Sequence, residues 1–120
     1  MKVYIGHDPR EADAYAVAEH SLLKHSPIPL CVTPLSLSRL AETGLLRRPM
    51  DKRGQMYDLP SNAPASTEFA ISRFLTPILA QTGYAMFVDS DVVFLGDVAE
   101  LLPVIDPTAA VSVVPHDMGA

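Results

Sequence analysis

Apolar residues in this chain fall into short runs divided by polar clusters, and the spacing within each run predicts an element. Lys2-Val-Tyr-Ile-Gly6 is a β-branched and aromatic run stopped by glycine, which predicts a strand. Asp8-Pro9-Arg10-Glu11 then reads as a helix start, with Asp8 as N-cap, Pro9 in the first turn and Glu11 closing a capping box. Helical spacing through Tyr15, Ala18 and Leu22, with Val17 and Leu23 beside them, carries that helix to about Lys24 before His25-Ser26-Pro27 ends it. Ile28 to Leu35 predicts a second strand, and Pro29 and Pro34 push it to a sheet edge because neither can donate a ladder hydrogen bond. Ser36 caps a short helix through Leu37, Leu40 and Ala41, ended by Gly44.

Residues 46–65 break the pattern. They hold Arg47, Arg48, Pro49, Lys52, Arg53, Gly54, Pro60 and Pro64 without periodicity, and read as a candidate mobile substrate loop. Ser66 or Thr67 caps a helix predicted from Glu68 to about Gln81, kinked by Pro77 after Arg73. On its wheel Ala70, Ile71, Phe74, Leu75, Ile78 and Leu79 form the apolar face, with Arg73 opposite and Phe69 next to it. Tyr84-Ala-Met-Phe-Val88 has the unbroken apolar character of a buried parallel strand. A helical turn from Val98 to Leu102 and a last strand over Ala109–Val114 follow. This order predicts an α/β fold: a Rossmann-like, mostly parallel sheet flanked by helices, with ligand beyond the carboxyl ends of the strands, where Asp8, Asp89 and His116 fall.

Composition narrows the function. At 120 residues the chain is a single domain, and 48% hydrophobic against 19% charged residues with a mean hydropathy of +0.19 predicts a packed core. A net charge of −5 has the wrong sign for nucleic-acid binding. The lone Cys31 excludes an internal disulfide or a cysteine-rich zinc site, and is expected to be a small core residue in a reducing cytoplasm. The start is charged too soon for a leader, and the longest uncharged stretch, Phe74–Val88, is 15 residues, below the ~20 that a membrane-spanning helix needs, so a soluble cytoplasmic protein is expected. All nine Lys and Arg lie at or before Arg73, so residues 1–73 sum to +1 and residues 74–120 to −6; compensation comes from the first half or from a bound cation, unless the six carboxylates are simply solvated.

The place for that cation is Val88-Asp89-Ser90-Asp91. In extended backbone the two carboxylates point to one side and Ser90 to the other, so they can share a hard ion, Mg²⁺ or Mn²⁺, which keeps open positions for phosphate oxygens and neutralises a departing diphosphate. With nine aspartates about 0.7 such Asp-x-Asp matches arise by chance, so a turn or capping role competes, and it is the setting directly after a buried strand that raises the motif.

Ser66-Thr-Glu-Phe-Ala-Ile-Ser-Arg73-Phe-Leu together with Ala85-Met-Phe-Val-Asp89-Ser-Asp91-Val-Val-Phe-Leu-Gly-Asp97-Val-Ala-Glu-Leu resembles bacterial glycosyltransferases of the GT-A fold, most nearly the glycosyltransferase family 8 group. Val3-Tyr-Ile-Gly-His-Asp-Pro-Arg-Glu and Val114-Pro-His116-Asp117 extend the likeness over nearly the whole chain, with residues 46–65 the least distinctive. The resemblance implies the N-terminal, donor-binding portion of that fold, transferring a sugar from a nucleotide-diphospho-sugar donor with retention to an acceptor of unknown kind: glycan, lipid-linked sugar or protein. It implies Asp89 and Asp91 as the metal pair, Asp8 near the nucleobase and Arg73 facing the donor. Such proteins continue well beyond this length, and a later histidine commonly completes their metal site.

Each remaining candidate has a plainer alternative. Arg73 reaches the donor or forms an ion pair with a metal-site aspartate; Asp8 binds the donor or caps its helix; Arg47, Arg48, Lys52 and Arg53 close over phosphates as a lid or are simply solvated. His7, Phe69, Ser90, His116 and Asp117 are candidate lining residues, whereas His20 and His25 read as helix surface. No catalytic residue is singled out. Met86-Phe-Val-Asp89-Ser-Asp91-Val-Val93 also resembles the first motif of haloacid-dehalogenase-type phosphatases, but no lysine follows Lys52. A dinucleotide fold fails at Gly6-His-Asp-Pro-Arg, which is no Gly-x-Gly-x-x-Gly. A truncated nucleotide-binding module without transferase activity is the third reading.

Overall fold

The computed structural model describes residues 1–51, 54 and 56–115. Val3, Tyr4, Ile5 and Gly6 are all buried, which requires a strand covered on both faces. This strand, β1 (Lys2–His7), is the middle of a three-stranded parallel sheet, between β2 (Cys31–Ser36) and β6 (Ala85–Val88). Its register runs from Lys2↔Cys31 to His7↔Ser36 on one side and from Lys2↔Ala85 to Ile5↔Val88 on the other. Alternation along β1 then sorts the two faces.

Val3 and Ile5 face α1 (Ala12–His25), where they join Ala18, Leu22 and Val98 in one core, with Met86 and Val88 packed against it. Each fully buried Val, Leu or Ile side chain there stabilises the fold by about 1.5–3 kcal/mol. Tyr15, Ala18 and Leu22 keep the expected stripe, but Val17 and Leu23 are half exposed at 52% and 50%. Ser21 is buried in their stead: its hydroxyl donates to the Ala18 carbonyl and accepts from the Phe94 amide, both at 3.0 Å, fastening the segment after β6 to α1.

The helix entry also differs from expectation. Asp8 caps a 3-10 turn over Pro9–Glu11, accepting from the Arg10 amide at 3.0 Å, and α1 follows from Ala12. Glu11 does not close a capping box; its carboxylate accepts the Ser90 hydroxyl instead. The proline-bearing strand β2 lies at the sheet edge as predicted but begins three residues late, and Cys31 at its start is exposed rather than in the core. In α2 (Leu37–Glu42) Leu37 and Leu40 are buried, and Gly44 follows at φ +74°, a conformation that suits a residue without Cβ.

Tyr4 and Gly6 face the other way, beneath residues 66–80. The continuous helix predicted over 68–81 is broken into a 3-10 turn at Ser72–Leu75 and a short α3 (Thr76–Ala80), because Pro77 begins a new helix instead of kinking an old one. A 3-10 turn advances by about 120° per residue, so the α-helical wheel fails. Phe69, Ser72, Thr76 and Ala80 are buried, while the wheel's Phe74 and Ile78 are 73% and 66% exposed. Phe69 lies flat on Gly6, so closely that a Cβ there would sit 2.6 Å from its ring.

Residues 46–65 are not the structureless loop expected. Among the described residues, β3 (Met50–Asp51), β4 (Tyr57–Asp58) and β5 (Ala63–Pro64) form a small antiparallel sheet. It is organised by buried Asp58, which accepts two hydrogen bonds of 2.8 Å from the Arg48 guanidinium and others from the Ser61 amide and hydroxyl. Burial pushes the Asp58 carboxyl up, but these donors together hold it below its usual range. Arg48 is therefore committed to the fold rather than free as a lid cation, Arg47 is exposed, and Lys52 and Arg53 lie outside the described residues. The strand predicted at Ala109–Val114 does not form: residues 109–115 are exposed, with no ladder partner beside them. The helical turn expected from Val98 to Leu102 is a 3-10 segment, Val98–Val104, capped by Asp97. Among the described residues no helix is long and apolar enough to cross a membrane.

The Gly6–Phe69 contact sets a test. Gly6→Ala must displace the Phe69 ring, and such overpacking should destabilise by about 1–3 kcal/mol. Thermal unfolding followed by circular dichroism should show a clearly lowered midpoint; an unchanged midpoint would contradict the packing described.

Candidate functional site

Two parallel neighbours, β1 and β6, end on the same edge of the sheet, and each delivers an aspartate as its chain leaves: Asp8 after β1 and Asp89 after β6. Parallel strands place their carboxyl ends together, so this edge is where a ligand crevice forms in an α/β sheet.

Asp8 is wholly buried. Its Oδ1 accepts from the Arg10 backbone N and Nε, both at 3.0 Å, and its Oδ2 from Arg10 Nη2 at 2.6 Å and the Glu68 amide at 3.1 Å. Arg10 Nη2 also donates to the Ser66 carbonyl at 3.1 Å. The Arg10 side chain, with the Arg10 and Glu68 amides, outweighs burial and holds the Asp8 carboxyl down to about 2 from 3.8, while Asp8 raises the Arg10 guanidinium. With both oxygens engaged, Asp8 acts as the cap and pins residues 66–68 against the end of β1.

At the end of β6 the backbone turns at Ser90–Asp91 instead of running on extended, and it buries the serine while leaving the two aspartates exposed to differing degrees. Ser90 is 1% exposed and donates to Glu11 Oε2 at 3.2 Å, across 79 positions of sequence. The Asp89 side chain is 43% exposed and Asp91 is exposed. Ser90 is thus the bolt of the turn, and the two carboxylates are its open face.

Arg73 closes the group. Its Nη2 lies 3.3 Å from Asp89 Oδ1 and its Nε donates to the Phe69 carbonyl at 3.4 Å. Its Cζ is 5.1 Å from the Phe87 ring centre and 5.6 Å from that of Phe69, the two rings being 6.2 Å apart. Rings at these distances hold a guanidinium by cation–π attraction. Phe69 therefore lies beneath the site as a platform. His7, half-buried, sets its ring edge-on to Tyr15 at 5.2 Å, and its Nδ1 has no hydrogen-bond partner. His116 and Asp117 lie outside the described residues.

Asp89 and Asp91 are the residues whose hard oxygens could take a divalent cation. Among the described residues no group of three or more His, Cys, Asp or Glu side chains is placed to hold a metal. Glu11, Phe87 and Arg10 were not among the candidate site residues read from the sequence. Arg10, two places from Asp8, was findable as its counter-charge, and Phe87 by alternation along its strand; nothing local marks Glu11 as the partner of Ser90.

The depressed Asp8 carboxyl gives a pH prediction. A group whose folded pKa is lowered stabilises the fold above its unfolded value, about 4, and loses that stabilisation as pH falls through about 2. Wild type should exceed Asp8→Asn by about 2 kcal/mol at neutral pH in urea unfolding, and the gap should narrow steadily below about pH 4. A gap independent of pH would place the stabilisation elsewhere.

Comparison with known proteins adds a relative without an activity in its name. The chain is similar to Protein CDI of Arabidopsis thaliana, 44% identical over 118 residues, which cover 98% of this chain and 41% of that protein. It thus spans about two-fifths of the length of the curated relative it matches. No protein-family model and no solved structure matches the chain.

Proposed function

We propose that the chain is the donor-binding part of a metal-dependent GT-A-type glycosyltransferase, which moves a sugar from a nucleotide-diphospho-sugar to an acceptor. The observation that carries this reading is the Asp89-Ser90-Asp91 turn at the carboxyl edge of the parallel sheet, its serine buried and its carboxylates open beside Arg73. Asp89 and Asp91 would hold Mn²⁺ or Mg²⁺, which when bound neutralises the charge that gathers on a departing diphosphate. Every other part of the site belongs to the chain itself. The Ser90–Glu11 bond fixes the turn so that its carboxylates stand outward without reorganising. Arg73 supplies a permanent positive charge at the mouth of a region otherwise rich in carboxylates, and its planar fork suits phosphate oxygens. Asp8 binds no ligand in this reading; it keeps the 66–68 segment, and with it the start of the Arg73 support, on the end of β1.

A second reading is nucleotide binding without transfer, which uses the same open carboxylates and the same arginine and differs only in having no acceptor. The phosphatase reading draws no support from the geometry, in which an arginine, Arg73, stands beside Asp89.

Calorimetric titration of Mn²⁺, with and without a nucleoside diphosphate, into the chain and its Asp91→Asn form separates these readings. The donor-binding reading expects Mn²⁺ to tighten nucleotide binding at least about tenfold and Asp91→Asn to abolish that gain. Equal, metal-independent binding by both proteins rejects it. Metal-dependent binding without sugar transfer or donor hydrolysis supports the binding module, and phosphate release from a phosphomonoester lost in Asp89→Asn supports the phosphatase.

A further inference from the structure

Three arginine–aspartate pairs occur among the described residues at 4 Å or less, and one is unlike the others. Arg10–Asp8 and Arg48–Asp58 are two-pronged, with contacts of 2.6–3.0 Å and 2.8 Å, on carboxylates that are at most 2% exposed. These are the lengths and forked geometry of strong charge-assisted bonds. Arg73 meets Asp89 through a single nitrogen at 3.3 Å, and the Asp89 side chain is 43% exposed. Such an open pair contributes little to stability and is easily exchanged. The Arg73 guanidinium is nevertheless held in place by the two phenylalanine rings, so it stays beside Asp89 without being bonded tightly to it.

We infer that Arg73 is an exchangeable counter-ion: it occupies the electrostatic place of the divalent cation at Asp89 and couples cation binding to diphosphate binding. The inference rests on the donor-binding reading and concerns how that site is regulated. While paired, Arg73 cancels part of the negative charge that would attract a cation, so the cation alone binds weakly. A cation at Asp89 and Asp91 repels the guanidinium, which turns to the nearest other anion, a diphosphate, when one is present. Cation and diphosphate thereby each raise the affinity of the other, as linkage requires. No covalent step is involved.

The test is Mn²⁺ binding, read from loss of the free-ion electron paramagnetic resonance signal, to wild type and Arg73→Gln, each with and without a nucleoside diphosphate. Arg73→Gln should bind Mn²⁺ alone about three- to fivefold more tightly than wild type, the ratio that losing a partly exposed opposing charge allows. Its tightening by the diphosphate should be smaller than that of wild type by at least the same factor. Equal or weaker Mn²⁺ binding by Arg73→Gln overturns the inference while leaving the donor site intact, provided that wild type binds Mn²⁺ and Asp91→Asn does not. Absence of Mn²⁺ binding by wild type and Arg73→Gln alike overturns both. A measurement on the unaltered chain covers the case in which the variant fails to fold: the Arg73 Nε–H resonance should shift on saturation with diamagnetic Mg²⁺, and a stationary resonance overturns the inference.

Discussion

A carboxylate with no exposed surface cannot keep its charge unless every lone pair finds a donor, and Asp8 meets that demand with a single neighbouring arginine and two backbone amides. Satisfying it fixes the course of three pieces of chain at once: the exit from β1, the 3-10 turn into α1, and the start of the segment that carries Phe69 and Arg73. Remove the charge and Arg10 and the Glu68 amide lose their partner together. The same carboxylate that caps the first helix thus sets where the arginine of the site begins its approach.

The two sheet faces carry different duties. Toward α1, Val3, Ile5, Ala18, Leu22 and Val98 make an ordinary aliphatic core. On the opposite face, the absence of a side chain at Gly6 admits Phe69, and Phe69 with Phe87 forms the seat of Arg73. The first layer is wholly apolar, whereas the second sets a guanidinium on two aromatic rings.

Local patterns were legible and long-range ones were not. Strand β1, the span of α1, the edge position of β2 and the cap at Asp8 follow from runs, spacing and capping chemistry within a few residues. The helix over 68–81 failed because its apolar wheel assumed a constant α-helical advance, whereas Pro77 resets the chain and buries Ser72 and Thr76 in place of Phe74 and Ile78. Residues 46–65 failed for another reason: their order comes from a buried ion pair between Arg48 and Asp58, ten positions apart, and ion pairs leave no hydrophobic rhythm. Of the candidate site, the inward serine and outward aspartates were foreseen, although from extended backbone rather than the turn that occurs. The Ser90–Glu11 bond was out of reach, since its partners are 79 residues apart.

That separation has a kinetic meaning. Ser90 bonds to Glu11 across 79 positions, Lys2 reaches the Ala80 carbonyl across 78, and the Phe94 amide reaches Ser21 across 73. Each bond closes most of the chain into a loop, and the entropy of such closures is met late, once local structure is in place. The Asp-Ser-Asp turn therefore takes its fixed form only when residues near the start of the chain have met those of the segment from Ala80 to Phe94. The outward set of the two aspartates and the closing of the longest loops become, in this architecture, one event.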